Sequence, residues 1–312
     1  MPKVSAVCIS ETKGVIKTPV EEIYVKINHG IVGDAHAGDW HRQVSLLSHE
    51  KIREFQERGA DVAPGAFAEN LVVEGFDFRS LPVGSRFGCG DVILEMTQIG
   101  KECHEHCQIY HKMGDCIMPR EGVFAVVVQG GEISVGDDMV LLAPAGTGKL
   151  RAAALILSDK GAKGEREDLC GPLMARMLEE AGYEAVETLV IPDERAQIEE
   201  ELIRLSDGRQ LDLILTSGGT GFSMRDVTPE ATLAVAPRQA PGIAEAIRAY
   251  SMQITKRAML SRGTAAIRGR TLIVNLPGSP KAVEESLGYI LPELGHGLEI
   301  LRGEAEECAR TE

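Results

Sequence analysis

Two textures of apolar and polar positions divide the chain. Up to about Leu142, short apolar runs recur between turn formers: VSAVCIS, EEIYVKI, ENLVVEG, DVILEMTQI, FAVVVQ and EISVGDDMVLL. Runs of this length, interrupted by Gly, Asp and Pro, predict a compact, mainly-β barrel or sandwich over residues 1–143. Gly130 and Gly131 separate two of the runs and predict a tight hairpin, because paired glycines accept the positive φ that such a turn needs. One amphipathic stretch, His49 to Glu57, predicts a helix with Ser48 as its N-cap. Residues 144–149 are small and glycine-rich, which predicts a linker.

Beyond the linker, apolar strands alternate with helical patterns over residues 150–304, leaving a short tail, 305–312. AAALILS reads as a strand, Pro172 to Glu180 as a helix closed by Gly182, and ETLVI as the next strand. A helix over Ala196 to Leu205 ends at Gly208, and Leu211 to Leu215 is a third, continuously aliphatic strand. Thr228 then suits an N-cap with Pro229 at the first helical position, where a missing N–H costs nothing. After the strand TLIVNL the same device recurs with Ser279 and Pro280. Strands alternating with helices predict a three-layer α/β/α domain around a mostly parallel sheet. There is no internal repeat.

Composition fits two cores of ordinary size: 312 residues, 44% hydrophobic and 26% charged. A formal net charge of −14 argues against a general nucleic-acid binder, which needs a basic stripe to replace counterions. No apolar run is long enough to span a membrane, and the N-terminus lacks a secretory apolar core, so a cytoplasmic protein is expected. Seven cysteines, an odd number, read as thiols or ligands and not as a disulfide framework.

In an open parallel sheet, ligands bind outside the carboxyl ends of the strands, so the residues after each strand are read together. They are Ser158 and Asp159 with Asp168 nearby, then Pro192 and Asp193, then Thr216-Ser217-Gly218-Gly219-Thr220-Gly221 with Asp226 and Glu230, and last Asn275 to Lys281. Glycines before a helix start let a phosphate approach main-chain N–H groups. Several carboxylates beside them suit Mg²⁺ with a nucleoside triphosphate, since the metal takes a few hard oxygens and keeps water. Asp159 and Asp168 serve equally well as turn or cap residues, and Asp193 as a solvated turn. Asp226, between glycines and a helix start, points to a site.

The first half holds a dense reactive cluster, Cys103-His104-Glu105-His106-Cys107, followed by His111 and Cys116. Thiolate and imidazole at this spacing suit zinc or iron. A thiol near histidines and Lys101 also suits a sulfur nucleophile. His36, His41 and Arg42 lie in a polar loop with the only tryptophan, where anion binding and a structured turn are both consistent with the pattern.

The ordered motifs LSDKG, EDLCGP, IPDE, TSGGTG, RDVTPEAT, LSRG and NLPGSPKA resemble molybdopterin adenylyltransferases and their relatives in molybdenum-cofactor synthesis. The resemblance implies a three-layer fold, often trimeric, that transfers AMP from Mg-ATP to molybdopterin and releases pyrophosphate. It places Asp193 and Asp226 at metal and catalytic positions. Ser158, Asp159, Thr216 to Gly221, Glu230, Ser261, Asn275, Pro277 to Ser279 and Lys281 fall at pterin and nucleotide positions. The first half, through GIVGDAHAG, QVSLLS, GAFAENLVVEG, LPVGSRFGCGD, LEMTQIGKEC and EGVFAVVVQGG, resembles the MOSC domain. That likeness implies a pterin-cofactor or sulfur-carrier role with Cys103 as the sulfur-bearing residue. Other proteins of molybdenum-cofactor synthesis or insertion would be partners. Two readings compete with catalysis: a carrier of molybdopterin without turnover, and a sulfurtransferase centred on Cys103.

Overall fold

A computed structural model describes residues 1–101, 110, 114–143 and 148–303 of the chain. Cys103, His104, His106, Cys107 and His111, residues 144–147 of the expected linker, and the tail 305–312 lie outside the described residues. The chain divides into two compact units, Met1–Thr147 and Gly148–Glu312.

The first unit is mainly β. Its strands are β1 (Lys3–Ile9), β2 (Thr18–Val20), β3 (Glu22–Lys26), β4 (Gly30–Ile31), β5 (Val44–Ser48), β6 (Leu71–Glu74), β7 (Arg86–Cys89), β8 (Val92–Ile99), β9 (Val123–Gln129), β10 (Gly131–Ser134) and β11 (Met139–Ala143). An eight-stranded sheet runs β11-β7-β8-β9-β5-β6-β1-β2, and a three-stranded sheet runs β10-β3-β4. Side chains alternate as a pleat demands. Ile23 and Val25 of β3, and Val92, Leu94 and Met96 of β8, enter one apolar core shared by both sheets. The chain before β11 bonds back to the start of β1, with Val4 N–H donating to Asp137 O at 2.9 Å and Met139 N–H to Pro2 O at 2.9 Å. The pairing thus gives two sheets around a common core, while among the described residues no full ladder closes the larger sheet into the expected barrel.

One local expectation, the hairpin, does not hold. β9 and β10 do not form a hairpin: β10 leaves the larger sheet and pairs antiparallel with β3, Glu132 opposite Tyr24. Gly130 is small for a different reason, since a Cβ there would lie 2.7 Å from Val25 O. The helix α1 (His49–Glu57) forms with Ser48 as its N-cap residue and buries Ile52 and Phe55, although the Ser48 side chain makes no capping bond. Its hydroxyl donates instead to Phe76 O. A short helix, α2 (Met118–Glu121), precedes β9.

In the second unit the sheet order is β13 (Glu184–Ile191), β12 (Arg151–Leu157), β14 (Leu213–Ser217), β17 (Thr271–Leu276), β16 (Ala265–Arg268) and β15 (Arg238–Gln239). The first four are mutually parallel, β16 runs antiparallel to β17, and β15 runs antiparallel to β16. Both faces are covered, as all-aliphatic strands require. Ala152, Ala154 and Ile156 face a layer built from α4 (Cys170–Glu180), α7 (Pro241–Ile254) and α8 (Pro280–Arg302). Ala153, Leu155 and Leu157 face the opposite layer, from α5 (Arg195–Ile203) and α6 (Thr228–Val235). A one-turn helix, α3 (Asp159–Ala162), follows β12. Among the described residues no helix is long and apolar enough to cross a membrane.

Candidate functional site

Because β12, β13, β14 and β17 are parallel, the residues that follow them gather at one edge of the sheet. After β12, Ser158 caps α3 by accepting from Gly161 N–H at 3.1 Å. Asp159 and Asp193 are cross-linked: each backbone N–H donates to the other's carboxylate at 3.1 Å. Arg225 closes the group, with one terminal nitrogen 2.8 Å from Asp159 Oδ1 and the other 2.8 Å from Glu194 Oε1. The Arg225 hydrogen bond holds the Asp159 carboxyl below the usual carboxylate range. Burial pushes Asp193 up, and the neighbouring Asp159 and Asp226 carboxylates add to that rise. Asp168 caps α4 through Cys170 and Gly171 N–H, at 2.9 and 3.0 Å.

The glycine turn after β14 is the tightest part. Gly219 has φ +62°, and a Cβ there would run into Thr228 Oγ1 and lie 3.3 Å from Asp193 Oδ1. Only glycine fits that close approach. Thr228 is the first helical residue of α6 and not the expected N-cap, which is Val227. Its hydroxyl donates to Gly218 O at 2.9 Å, fastening helix to turn. Asp226 accepts from Ser223 N–H at 2.8 Å, beside Gly221. Ser217 donates to Pro277 O at 2.9 Å, which ties the β14 and β17 loops together.

A cavity of about 470 Å³ opens beside this turn. Thr220, Gly221, Asp226 and Ser261 line it with Pro277 and Gly278. Its far wall is α7 and the following turn, through Ile247, Arg248, Ser251, Thr255, Arg257 and Leu260. The enclosure combines an apolar wall, two guanidinium groups and the carboxylates of Asp226 and Glu285, which suits a flat ring carrying phosphates.

The first unit has a smaller cavity, about 210 Å³, lined by His36, Trp40, Arg42, Asn70, Lys101 and Phe124 among others. The Arg42 guanidinium lies 4.8 Å from the Trp40 ring centroid and 5.6 Å from that of Phe124. Behind the cavity, Lys17 Nζ meets Asp34 Oδ2 at 2.5 Å with both side chains buried. Asp34 also accepts from His36 N–H at 2.9 Å and the Asn70 amide at 3.1 Å. Burial raises the Asp34 carboxyl, but the His36 and Lys17 bonds outweigh it and hold the group well below the usual range. Cys116, read from sequence as part of a metal or sulfur cluster, is buried in an apolar cluster with Ile117, Met118 and Phe124. Among the described residues no three His, Cys, Asp or Glu side chains are grouped to hold a metal.

Comparison with known proteins agrees with this geometry. A family model described as a probable molybdopterin binding domain matches residues 153–296, and the MOSC domain model matches residues 33–140. The molybdopterin adenylyltransferase of Helicobacter pylori is 38% identical over 156 residues, covering 49% of this chain and 89% of that protein. The chain belongs to the molybdopterin adenylyltransferase family. The Escherichia coli molybdopterin adenylyltransferase is 44% identical over 141 residues, 44% of this chain and 72% of that protein. A crystal structure of the molybdopterin biosynthesis enzyme MoaB from Thermus thermophilus covers 51% of this chain and 99% of its own, at 44% identity and a TM-score of 0.48. Relative to these adenylyltransferases the chain carries an additional N-terminal MOSC domain.

Of the residues singled out from sequence, the adenylyltransferase unit brings Asp159, Asp193, Asp226 and the glycine turn to one edge, with Ser261, Pro277 and Gly278 at the cavity. Thr216 and Asn275 are buried beneath it, the Asn275 amide donating to Thr216 Oγ1 at 3.0 Å and to Thr232 Oγ1 at 2.9 Å. Ser279 caps α8, accepting from Ala282 N–H at 3.4 Å. Lys281 is exposed and lies 3.9 Å from Glu285, which lines the cavity. Glu230 faces Arg262. Sequence reading missed Arg248, Ser251, Thr255 and Arg257. The four-residue spacing of Ile247, Ser251 and Thr255 was the available signal, since it puts them on one helical face.

Proposed function

We propose that the second unit transfers AMP from Mg-ATP to molybdopterin and releases pyrophosphate. The observation that supports this best is that Asp226 and the Gly219–Gly221 turn line a cavity that also presents Arg248 and Arg257, with Asp193 packed beside Gly219. Two anions must meet: the terminal phosphate of molybdopterin is already ionised near neutral pH and attacks the α-phosphorus of ATP without a strong base. Catalysis is then positioning and charge neutralisation. The donor set fits Mg²⁺, because two carboxylates leave the rest of an octahedral shell to phosphate oxygens and water. Bound there, Mg²⁺ supplies charge neutralisation on the phosphates. In this reading Asp193 and Asp226 hold the metal. The Gly219 to Gly221 turn, held from below by Thr216, Ser217 and Gly218, orients the substrates together with Ser158, Ser261 and Pro277 to Ser279, and Arg248 and Arg257 neutralise phosphate.

For the first unit we propose pterin-cofactor binding, with Arg42, Lys101, His36 and Asn70 facing an anionic group of the ligand. Sulfur transfer through Cys103 is the competing reading, and a persulfide detected at that residue by mass spectrometry would favour it. Zinc or iron at Cys103, His104, His106 and Cys107 is a third, tested by metal analysis of the protein and its Cys103→Ala variant. A cytoplasmic homo-oligomer, a trimer by family likeness, working beside other molybdenum-cofactor proteins completes the proposal.

The deciding experiment mixes purified protein with Mg-ATP and molybdopterin and measures pyrophosphate. The expected result is stoichiometric release, lost by at least about a hundredfold in Asp226→Ala while molybdopterin still binds. No release from the unaltered protein, with molybdopterin binding intact, would leave a non-catalytic carrier. Unchanged release in Asp226→Ala would remove that residue from the mechanism.

A further inference from the structure

The loop that carries Asp226 has no apolar anchor. Phe222 is 70% exposed and Met224 is 94% exposed, and neither joins a core. Yet the loop is bound at both ends by one residue outside it, Arg262, in the segment between the turn at Lys256–Leu260 and β16. The Arg262 backbone N–H donates to Thr220 O at 2.9 Å, and its side-chain Nε donates to Gly221 O at 2.6 Å. One terminal nitrogen meets the Glu230 carboxylate and the other the Asp226 carbonyl. Glu230 sits in the first turn of α6, so the guanidinium connects the entrance of the loop, its catalytic end and the next helix.

We propose that Arg262 is the positioning residue of the adenylyl-transfer site. It gathers the Gly221 and Asp226 carbonyls and the Glu230 carboxylate into one planar fork and so sets the Asp226 carboxylate at the cavity. The inference rests on the function proposed above, and it gives Glu230 a clasping part in place of the pterin or nucleotide contact implied by family likeness. The pair is 33% and 42% exposed, so its ion-pair energy is small; its effect is geometric. A lysine carries the charge but offers no fork, and cannot make the three bonds in the same directions.

The test compares the full-length protein with Arg262→Lys, Arg262→Ala and Glu230→Gln. Arg262→Ala is expected to lower kcat by about a hundredfold, as a displaced catalytic group does, while KM for ATP moves less than about threefold. The Mg²⁺ concentration for half-maximal rate should rise by about tenfold, because Asp226 is misplaced. Added guanidinium should restore part of the rate, and Arg262→Lys should not. A readout independent of turnover is chymotryptic cleavage after Phe222 in substrate-free protein, expected to be about tenfold faster in Arg262→Ala and faster in Glu230→Gln. If the unaltered protein releases no pyrophosphate, the function reading fails, and the cleavage rates still decide whether the clasp exists. Wild-type cleavage and Mg²⁺ dependence in a folded Arg262→Ala protein would overturn the proposal, even if its turnover falls. Should that variant not fold, Glu230→Gln with wild-type cleavage and kinetics would overturn it.

Discussion

Asp193 shows how single contacts set chemistry here. Burial, with Asp159 and Asp226 adding, lifts its carboxyl above the usual range, and the Arg225 charge acts against that lift. If the ionised form is the working one, the acid limb of the pyrophosphate-release profile belongs to this group and lies above the pH of an ordinary aspartate. Removing the cation in Arg225→Ala disfavours the carboxylate further, so the limb should move to higher pH; a plot of kcat/KM against pH checks this. A limb that stays still or moves down would detach Asp193 from the profile. In the first unit, burial pushes Glu69 up to about 7, against the opposing N–H bonds of Gly65 and Phe67 and the charge of Lys17. The folded state therefore holds a proton that the unfolded chain gives up near 4.5. This contribution is fully present below about 4.5 and lost as pH rises through about 7. It is worth about 3 kcal/mol across that window. Trp40 is the only tryptophan and lies in this unit, so its fluorescence follows this unit's unfolding alone. The wild-type midpoint should decline between those limits, and Glu69→Gln should abolish the decline.

At the level of elements, Asn275 holds three pieces together. From β17 its amide reaches Thr216 on β14 and Thr232 on α6, and its carbonyl oxygen accepts from Thr264 N–H at 3.2 Å. Asn275→Ala leaves buried polar groups without partners and should cost about 3 kcal/mol in the second unit. Urea unfolding followed by circular dichroism, with Trp40 fluorescence marking the first unit, would show that transition shifted by itself. The strands of this unit were legible because their aliphatic runs are continuous, and α8 because Ser279 and Pro280 announce its start. Thr228 and Pro229 located α6 to within a residue. The threonine missed its expected capping part because Gly218 O lies within reach of its hydroxyl, a tertiary fact. β10 was misread in its pairing for the same kind of reason: Gly130-Gly131 permits a hairpin, but Val25 decides where the strand goes. The α7 wall of the cavity was not legible either. Arg248, Ser251 and Thr255 look like the solvated side of an amphipathic helix until the glycine turn is placed opposite them.

For the whole molecule, the distribution of cores carries the argument. Every residue of the two apolar clusters in the first unit falls between Val4 and Met139, and every residue of the two in the second falls between Ala152 and Leu298. Each unit therefore has the buried apolar surface to fold alone. Residues 148–312, expressed separately, should unfold in one cooperative step at the temperature seen for this unit in the full chain. With free molybdopterin in excess they should release pyrophosphate with kcat within about threefold of the full chain. Loss of turnover in a folded 148–312 protein would mean that the transfer site needs the MOSC unit. The fusion has a kinetic meaning only when cofactor is scarce, because a short tether holds one module near the other at about millimolar effective concentration. With limiting molybdopterin, the intact chain should then outpace an equimolar mixture of 1–147 and 148–312 in pyrophosphate release, and a large excess of the first fragment should close the gap. Equal rates at limiting cofactor would leave the linkage without a transfer role.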